Sequence, residues 1–166
     1  AAALIHGALD DPSLCEASVP ALDRAESMLR RGEFENAVQL LEGDDSLRAI
    51  RIRAESLEGL GKLDAAAAAV EPLVQRLKEH QATTPEDLVE GVRGLLIRSR
   101  VRPQDEPAGG DFQRIAGLLQ IARDQLGRLY WPAYVVEATL LYDKDNTKDA
   151  GAAAMQALAL NPSSAE

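Results

Sequence analysis

The stretch AESMLRRGEFENAVQLLE at residues 25–42 decides the fold, because it returns in altered form as AESLEGLGKLDAAAAAVEPL at residues 54–73. Both copies begin with Ala-Glu-Ser. In each, a glycine follows seven residues after the first alanine, and a second alanine follows five residues after the glycine. The two glycines, Gly32 and Gly61, are 61 minus 32, or 29, residues apart. An internal period of this length is typical of arrays of stacked helical hairpins.

Apolar residues recur every three or four positions in both copies, as they do from Leu47 to Leu60. This spacing places them on one face of an α-helix. Gly32 and Gly61 then fall where a helix ends, since glycine adopts the left-handed conformation there without steric cost. The sequence therefore predicts paired helices joined by tight turns, with a short second helix in the first pair. The eight predicted helices cover residues 20–31, 33–42, 47–60, 63–79, 85–101, 112–128, 132–143 and 147–160.

The third helix pair contains an insertion. Its first helix is predicted to begin at Thr84-Pro85, where a capping threonine precedes a proline suited to the first helical position. If Gly94 is the small residue of this helix, the turn glycine is expected at position 101. The glycine stands instead at Gly110, so the insertion is 110 minus 101, or nine, residues long. Insertions within one repeat generally form surface loops, which predicts an inserted loop at residues 102–110.

The fourth pair resembles the tetratricopeptide-repeat family most fully. Ala138 stands at the small position of its first helix, Ala150 and Ala157 are spaced as in the second helix of the family, and Asn161-Pro162 closes the unit. The first two pairs match through their small residues and turn glycines, and the third matches weakly. The resemblance covers about residues 20–166. It departs from the family pattern in the short second helix, the insertion and the missing closing proline of the first three units.

The resemblance implies an all-α fold, a right-handed superhelical array of about four antiparallel helix pairs whose first helices line a concave groove. The units are expected at about residues 20–45, 46–81, 84–129 and 131–162, after a linker or trailing helix of a preceding repeat at residues 1–19. Residues 163–166, SSAE, have the spacing of a capping box for a further helix, which predicts a fragment of a longer protein. Self-association through the uncapped ends is a further hypothesis.

Composition favours helices and limits the partners. Apolar residues make up 46% of the chain and aromatic residues only 4%, which suits closely packed helices. The net charge of -9 argues against nucleic acid and anionic membrane surfaces as partners. No stretch is apolar over the roughly 18 residues of a membrane span, so the sequence predicts a soluble protein. A cytoplasmic location is favoured, and export of the parent protein is left open. The single cysteine, Cys15, excludes an internal disulfide.

No recognised catalytic or metal-binding motif occurs in the sequence, so we predict no enzyme activity, no cofactor and no metal. The segment DKDNTKD at residues 143–149 alternates acidic residues like the start of an EF-hand calcium loop. However, Lys148 stands where that loop needs glycine, and Ala154 where it needs glutamate. An acidic turn between helices is the favoured interpretation. His6 and His80 have no second ligand at metal-binding spacing.

The resemblance also implies which residues line the groove, because the family uses fixed positions of each first helix. These positions are Leu22, Glu26 and Leu29; Arg51, Glu55 and Glu58; Gly91, Leu95 and Arg98; and Val135, Thr139 and Tyr142. The residues that we predict to contact a partner are Glu26, Arg51, Glu55, Arg98 and Tyr142. The repeated lysine and asparagine with which some family members hold chaperone tails are missing, so chaperone binding is disfavoured.

Five arginines form a second candidate feature, a basic patch in an acidic protein. They are Arg48, Arg51, Arg98, Arg100 and Arg102. Such a patch would accept an acidic peptide. The alternative interpretation is a solvated stripe with ordinary ion pairs four residues apart. Trp131 and Tyr134 either anchor a partner or pack between the third and fourth units.

These observations predict a non-catalytic scaffold for protein–protein interaction, which binds a protein or peptide partner through the concave face or along the inserted loop. The alternative is an accessory or positioning module of a larger multidomain enzyme whose active site lies outside this segment.

Overall fold

The computed structural model describes residues 19–79, 83–101, 111–122, 124 and 129–163. Within these ranges the protein consists of eight α-helices and contains no strand. The helices are α1 (Ala21–Arg30), α2 (Phe34–Leu40), α3 (Leu47–Gly59), α4 (Leu63–Lys78), α5 (Pro85–Val101), α6 (Asp111–Ile121), α7 (Trp131–Tyr142) and α8 (Thr147–Leu160). The all-α prediction is confirmed, and α2 is the short helix that the sequence predicts.

Several features named from the sequence lie outside the described residues. They are the N-terminal segment 1–18 with His6 and Cys15, His80, the inserted segment 102–110 with Arg102, the last part of the sixth predicted helix at residues 125–128, and residues 164–166 of the capping box.

The helix ends follow the capping signals in the sequence. Thr84 Oγ1 accepts a hydrogen bond from the Asp87 backbone N–H at 3.1 Å, as predicted for the start of α5. Gly32 and Gly61 have φ values of 76° and 70°, the left-handed conformation predicted for the ends of α1 and α3. The residue after each glycine donates its N–H back into the last turn of the helix, so the chain reverses tightly at both points.

Neighbouring helices pack in a regular order. Each helix contacts the next one in the chain, and the odd-numbered helices also contact one another, α1 with α3, α3 with α5 and α5 with α7. The helices that flank the short connections at residues 31–33 and 60–62 pack against each other. The odd-numbered helices therefore form one continuous layer, to which the even-numbered helices are attached.

The core is divided along this layer into three clusters of buried apolar residues. One joins α1, α2 and α3 and contains Ala25, Ala37, Leu41, Ala49 and Ile52. A second joins α3, α4 and α5 and contains Ala54, Ala66, Val70, Ile97 and Val101. The largest extends from α3 to α7. The repeat alanines are fully buried in the first two clusters, where their small side chains let the helix axes approach.

Two glycines let α5 approach α4 closely. A Cβ atom at Gly91 would lie 2.5 Å from Leu77 Cδ2, and one at Gly94 would lie 2.5 Å from Leu73 Cδ2. Gly94 therefore faces the helix before its own, whereas the repeat alanines of the first two pairs lie in clusters with the second helix of their own pair. Gly94, like those alanines, lets two helix axes approach each other. It does not occupy the equivalent position in its helix pair, because it faces α4.

We expect Gly94→Ala to lower the free energy of unfolding by roughly 1 kcal/mol. Overpacking typically costs about 1–3 kcal/mol, and the better helix propensity of alanine offsets somewhat less than about 1 kcal/mol of it. Gly151→Ala in α8 is the matched control, because a Cβ atom there meets nothing within 4 Å. The control is expected to gain about 0.5–1 kcal/mol. Urea unfolding followed by circular dichroism measures the free energy of unfolding of both variants. An equal gain in stability in the two variants would contradict the close approach of α5 to α4 at Gly94.

Candidate functional site

Arg51 of α3 is the one charged residue that is buried in the described part of the chain, with its side chain 1% exposed. Its guanidinium is shared by three carboxylates. Glu26 of α1 accepts from Nη1 at 3.1 Å and from Nη2 at 2.5 Å, in the two-pronged geometry that matches a guanidinium to a carboxylate. Glu90 of α5 accepts from Nε at 2.7 Å, and Glu55 of α3 accepts from Nη1 at 3.2 Å. One side chain thus links α1, α3 and α5.

The carboxylates keep this buried group charged. Burial by itself lowers the pKa of Arg51, but the hydrogen bonds and negative charges of Glu26 and Glu90 raise that pKa above its usual value. Burial likewise raises the pKa of Glu26, and Arg51, Arg48 and Arg93 more than reverse the effect, so that the pKa of Glu26 lies below its usual value. The cation and its principal partner therefore stabilise each other's charged forms.

Two further arginines extend this network at its edges. Arg48 lies 2.8 Å from Asp23 and 3.4 Å from Glu26, both on α1. Arg93 of α5 lies 3.7 Å from Glu90. We call the set formed by Arg51, its three carboxylates, Arg48, Asp23 and Arg93 the Arg51 network. It spans the three consecutive odd-numbered helices α1, α3 and α5.

The other described arginines of the predicted basic patch are also paired with carboxylates. Arg100 of α5 donates to both oxygens of Glu58 of α3, at 2.6 and 2.8 Å, and these bonds raise the pKa of Arg100. Arg98 lies 3.7 Å from Glu71 of α4. The expectation of a solvated stripe paired at a spacing of four residues is wrong for Arg51, which is buried and whose main partners lie on other helices.

A cleft of about 540 Å³ runs along the layer of odd-numbered helices. All four of these helices contribute to its lining. The apolar and neutral lining residues are Leu29, Phe34, Gly59, Leu96, Ile97, Val135, Val136 and Thr139. The charged ones are Glu26, Arg30, Arg51, Glu55, Glu58, Arg93 and Arg100. The cleft thus combines apolar walls with charged groups, most of which belong to the Arg51 network or to the pair of Arg100 and Glu58.

Three of the five predicted contact residues, Glu26, Arg51 and Glu55, line this cleft, and Arg98 and Tyr142 do not. Tyr142 lies at the end of α7 with its side chain 68% exposed. On α5, three of the four lining residues are offset by two positions from the predicted ones, and the fourth is Leu96. The structure has Arg93, Ile97 and Arg100 where the resemblance implies Gly91, Leu95 and Arg98.

The offset in α5 arises because this helix is buried on almost every side. It contacts α3, α4, α6 and α7, and apolar residues therefore occupy most of its surface. A helix of this kind has no single apolar stripe from which a register can be taken. The nearly continuous burial explains why sequence analysis missed Arg93, which lies on the side of the helix facing the cleft.

The remaining candidate features are structural in the described residues. Tyr134 is buried, which argues against a role as a surface anchor. In the acidic turn, Asn146 accepts a hydrogen bond from the Asp149 N–H at 3.4 Å and caps α8. No group of three or more His, Cys, Asp and Glu side chains among the described residues is arranged to hold a metal ion. In the same ranges, no helix has both the length and the apolar character that crossing a membrane requires.

Comparison of the chain with known protein families, with curated proteins and with solved structures finds no match.

We expect Arg51→Met to lower the free energy of unfolding at neutral pH by about 3–5 kcal/mol, the usual cost of removing one partner of a buried ion pair. The change leaves Glu26, Glu55 and Glu90 facing one another without their shared cation. Arg48→Met is the matched control. Its side chain is 35% exposed, and the expected loss is about 0–1 kcal/mol. Similar small losses in both variants, measured by urea unfolding, would contradict the role assigned to Arg51.

Glu26→Gln is expected to change how stability depends on pH. Since the pKa of Glu26 is lower in the folded protein, its ionised form stabilises the fold above the usual value of 4.5, and this contribution is lost as the pH falls through the lowered pKa. The stability of the wild type should exceed that of the variant most at neutral pH, and this difference in stability should shrink below pH 4.5. Thermal unfolding across this range tests the expectation, with the exposed Glu35→Gln as control. A difference that does not change with pH would refute it.

Proposed function

We propose that this chain is a tetratricopeptide-type repeat domain, a right-handed superhelical array of four antiparallel helix pairs, and that it acts as a non-catalytic scaffold that binds a segment of a partner protein. The observation that carries the proposal is the cleft of about 540 Å³, which is lined by every odd-numbered helix in turn. A cleft built in this way gives an extended segment one contact surface per repeat.

The packing order supports the repeat assignment. The main contacts of each helix pair in the described residues are with its neighbours in the chain, as expected of stacked repeats, and each odd-numbered helix packs on the next. The left-handed glycines Gly32 and Gly61 end the first helix of the first two units in the same manner. A constant rotation between successive units would curve such a layer, and its inner side would then be concave.

The size and chemistry of the cleft suit a short peptide. Four helices at roughly 9 Å spacing span about 27 Å, which an extended chain covers in about eight residues at roughly 3.3 Å each. Apolar walls such as Leu29 and Val135 suit apolar side chains of the peptide. Arg93 lies 3.7 Å from Glu90, beyond hydrogen-bond distance, and its side chain is 32% exposed. Its N–H groups are thus well placed to donate to peptide carbonyl oxygens.

A scaffold fits this cleft better than an enzyme. Its charged groups are arginines and glutamates, most of which pair with one another, and the hydroxyl among its lining residues, on Thr139, donates to the Val135 carbonyl oxygen at 3.1 Å. Such groups are poor candidates for a nucleophile activated by a neighbouring base. The alternative of a positioning module in a larger enzyme remains a prediction, and it would use the same cleft.

Thr139→Arg is expected to weaken peptide binding about tenfold or more, because a long charged side chain would enter the cleft from α7. Peptides would be selected from a random displayed library on the wild-type chain, then synthesised and measured by fluorescence anisotropy. The variant should remain folded, since Thr139 is exposed and arginine favours helices.

The matched control is Gln39→Arg, an exposed position of α2 outside the cleft lining, which should leave the affinity unchanged. If both variants bind the selected peptides as the wild type does, the cleft is not the binding site. If no peptide is selected, binding of extended segments by this chain is refuted.

A further inference from the structure

The α7–α8 hairpin carries half of the large exposed apolar side chains of the described chain. Eight large apolar side chains in the described ranges are markedly exposed: Val19, Leu63, Ile121, Leu129, Tyr142, Met155, Leu158 and Leu160. Half of them belong to α7 and α8. Met155 is 67% exposed and lies on the side of α8 opposite its buried alanines, and Leu158 is 36% exposed and lies between that side and the alanines. Met155 and Leu158 are three residues apart on α8 and so adjacent on its surface, and adjoining exposed apolar side chains mark a candidate interaction site.

An equivalent surface within the same protein is covered by a helix. The alanines Ala54 and Ala66 of the second pair correspond to Ala138 and Ala150 of the fourth, and the offset is 84 residues in both cases, 138 minus 54 and 150 minus 66. By this offset Val74 of α4 corresponds to Leu158. Val74 is fully buried in the cluster that includes α5. The positions of Ala154 and Leu158 therefore correspond to positions that another helix pair covers, whereas Met155 corresponds to Glu71, which is exposed.

The geometry points to a second copy of this chain as the occupant, and we propose a two-fold interface formed by the outer face of α8, which comprises Gly151, Ala154, Met155 and Leu158. Small residues occupy the N-terminal half of this α8 face and large ones the C-terminal half. Two antiparallel α8 helices would place Leu158 of each copy over Gly151 and Ala154 of the other. Gly151 has open space where a Cβ atom would be. A two-fold interface requires such self-complementarity.

Charge supports the same occupant. The chain carries a net charge of -9, so most surfaces of two copies repel each other, whereas no charged residue occurs from Ala150 to Ser164. In the antiparallel arrangement Lys148, at the start of α8, lies beside the C-terminal end of the second α8. The last carbonyl groups of a helix carry partial negative charge and favour a cation there.

A head-to-tail arrangement, in which α8 packs on α1 of the next copy, is not favoured. The apolar residues of α1, including Leu22 and Met28, already pack in the cluster with α2 and α3. Its exposed side carries Asp23, Ser27 and Arg30, which would have to lose water against an uncharged surface. The hypothesis of self-association through both ends is thereby narrowed to the α8 face alone.

Sedimentation equilibrium of the full chain tests the proposal over a concentration series from about 1 µM to 1 mM. The weight-average mass of the wild type is expected to rise from 17.8 kDa towards twice that value and no further. A constant mass of 17.8 kDa overturns the proposal, whether the α8 face is then free or reserved for another protein. A mass that grows beyond two copies also overturns it, because it indicates open head-to-tail association.

Two variants distinguish interlocking helices from a merely sticky surface. Leu158→Glu should remain monomeric at every concentration, and Leu63→Glu, an exposed position of α4, should dimerise as the wild type does. Gly151→Leu adds apolar surface but fills the small half of the α8 face, so the dimer should dissociate at concentrations about tenfold higher. Tighter association of Gly151→Leu, or wild-type dimerisation of Leu158→Glu, contradicts the proposal. Far-ultraviolet circular dichroism establishes that each variant is folded.

Discussion

The arrangement of the odd-numbered helices depends on the guanidinium of Arg51, which is buried and must be neutralised where it lies. A cation removed from water costs several kcal/mol in free energy unless hydrogen bonds and opposite charge replace its hydration. Glu26 of α1 and Glu90 of α5 supply both, at 2.5 and 2.7 Å, and Glu55 adds a contact within α3. Both carboxylates reach the guanidinium only if α1 and α5 each pack beside α3 at these positions. The interaction therefore fixes how α1, α3 and α5 are aligned more than it adds net stability.

Apolar packing brings the helices together, and the Arg51 network selects their alignment. The repeat alanines and the paired glycines of α5 let the axes approach, but clusters of alanine, leucine and valine tolerate small shifts of one helix along another. The two-pronged bond between Arg51 and Glu26 does not tolerate such shifts, because its hydrogen bonds depend on direction and distance. The same residues line the cleft, so the alignment of the layer and the shape of the proposed binding surface have a common origin.

Most of the secondary structure was predictable, because its signals are local. Gly32 and Gly61 set the ends of α1 and α3, and Thr84 with Pro85 set the start of α5. The main partners of Arg51 were not predictable, because Glu26 and Glu90 are 25 and 39 residues away along the chain. A search for ion pairs four residues apart finds only Glu55. One signal was present. Glu26 and Glu55 each follow a repeat alanine, so that stacking of the first two units already implied a carboxylate from α1 near α3.

The register of α5 had no comparable signal. Its glycines suggested a small position like Ala54, but they serve the contact with α4, and burial on nearly all sides removes the stripe that would identify the side facing the cleft. Arg93 and Arg100 could be assigned to the cleft only once the packing of α5 against α3 and α7 was known. A repeat pattern thus predicts which helices form the layer more readily than which of their residues point into the cleft.

The most direct test of this account is a double-mutant cycle between Arg51 and Glu26, which joins α3 to α1. The free energy of unfolding would be measured at neutral pH for the wild type, Arg51→Met, Glu26→Gln and the double variant. If the bond aligns the two helices, the losses of unfolding free energy in the two single variants should add up to about 2–3 kcal/mol more than the loss in the double variant. If the effects of the single changes add to within about 0.5 kcal/mol, the two side chains act independently and the account is contradicted.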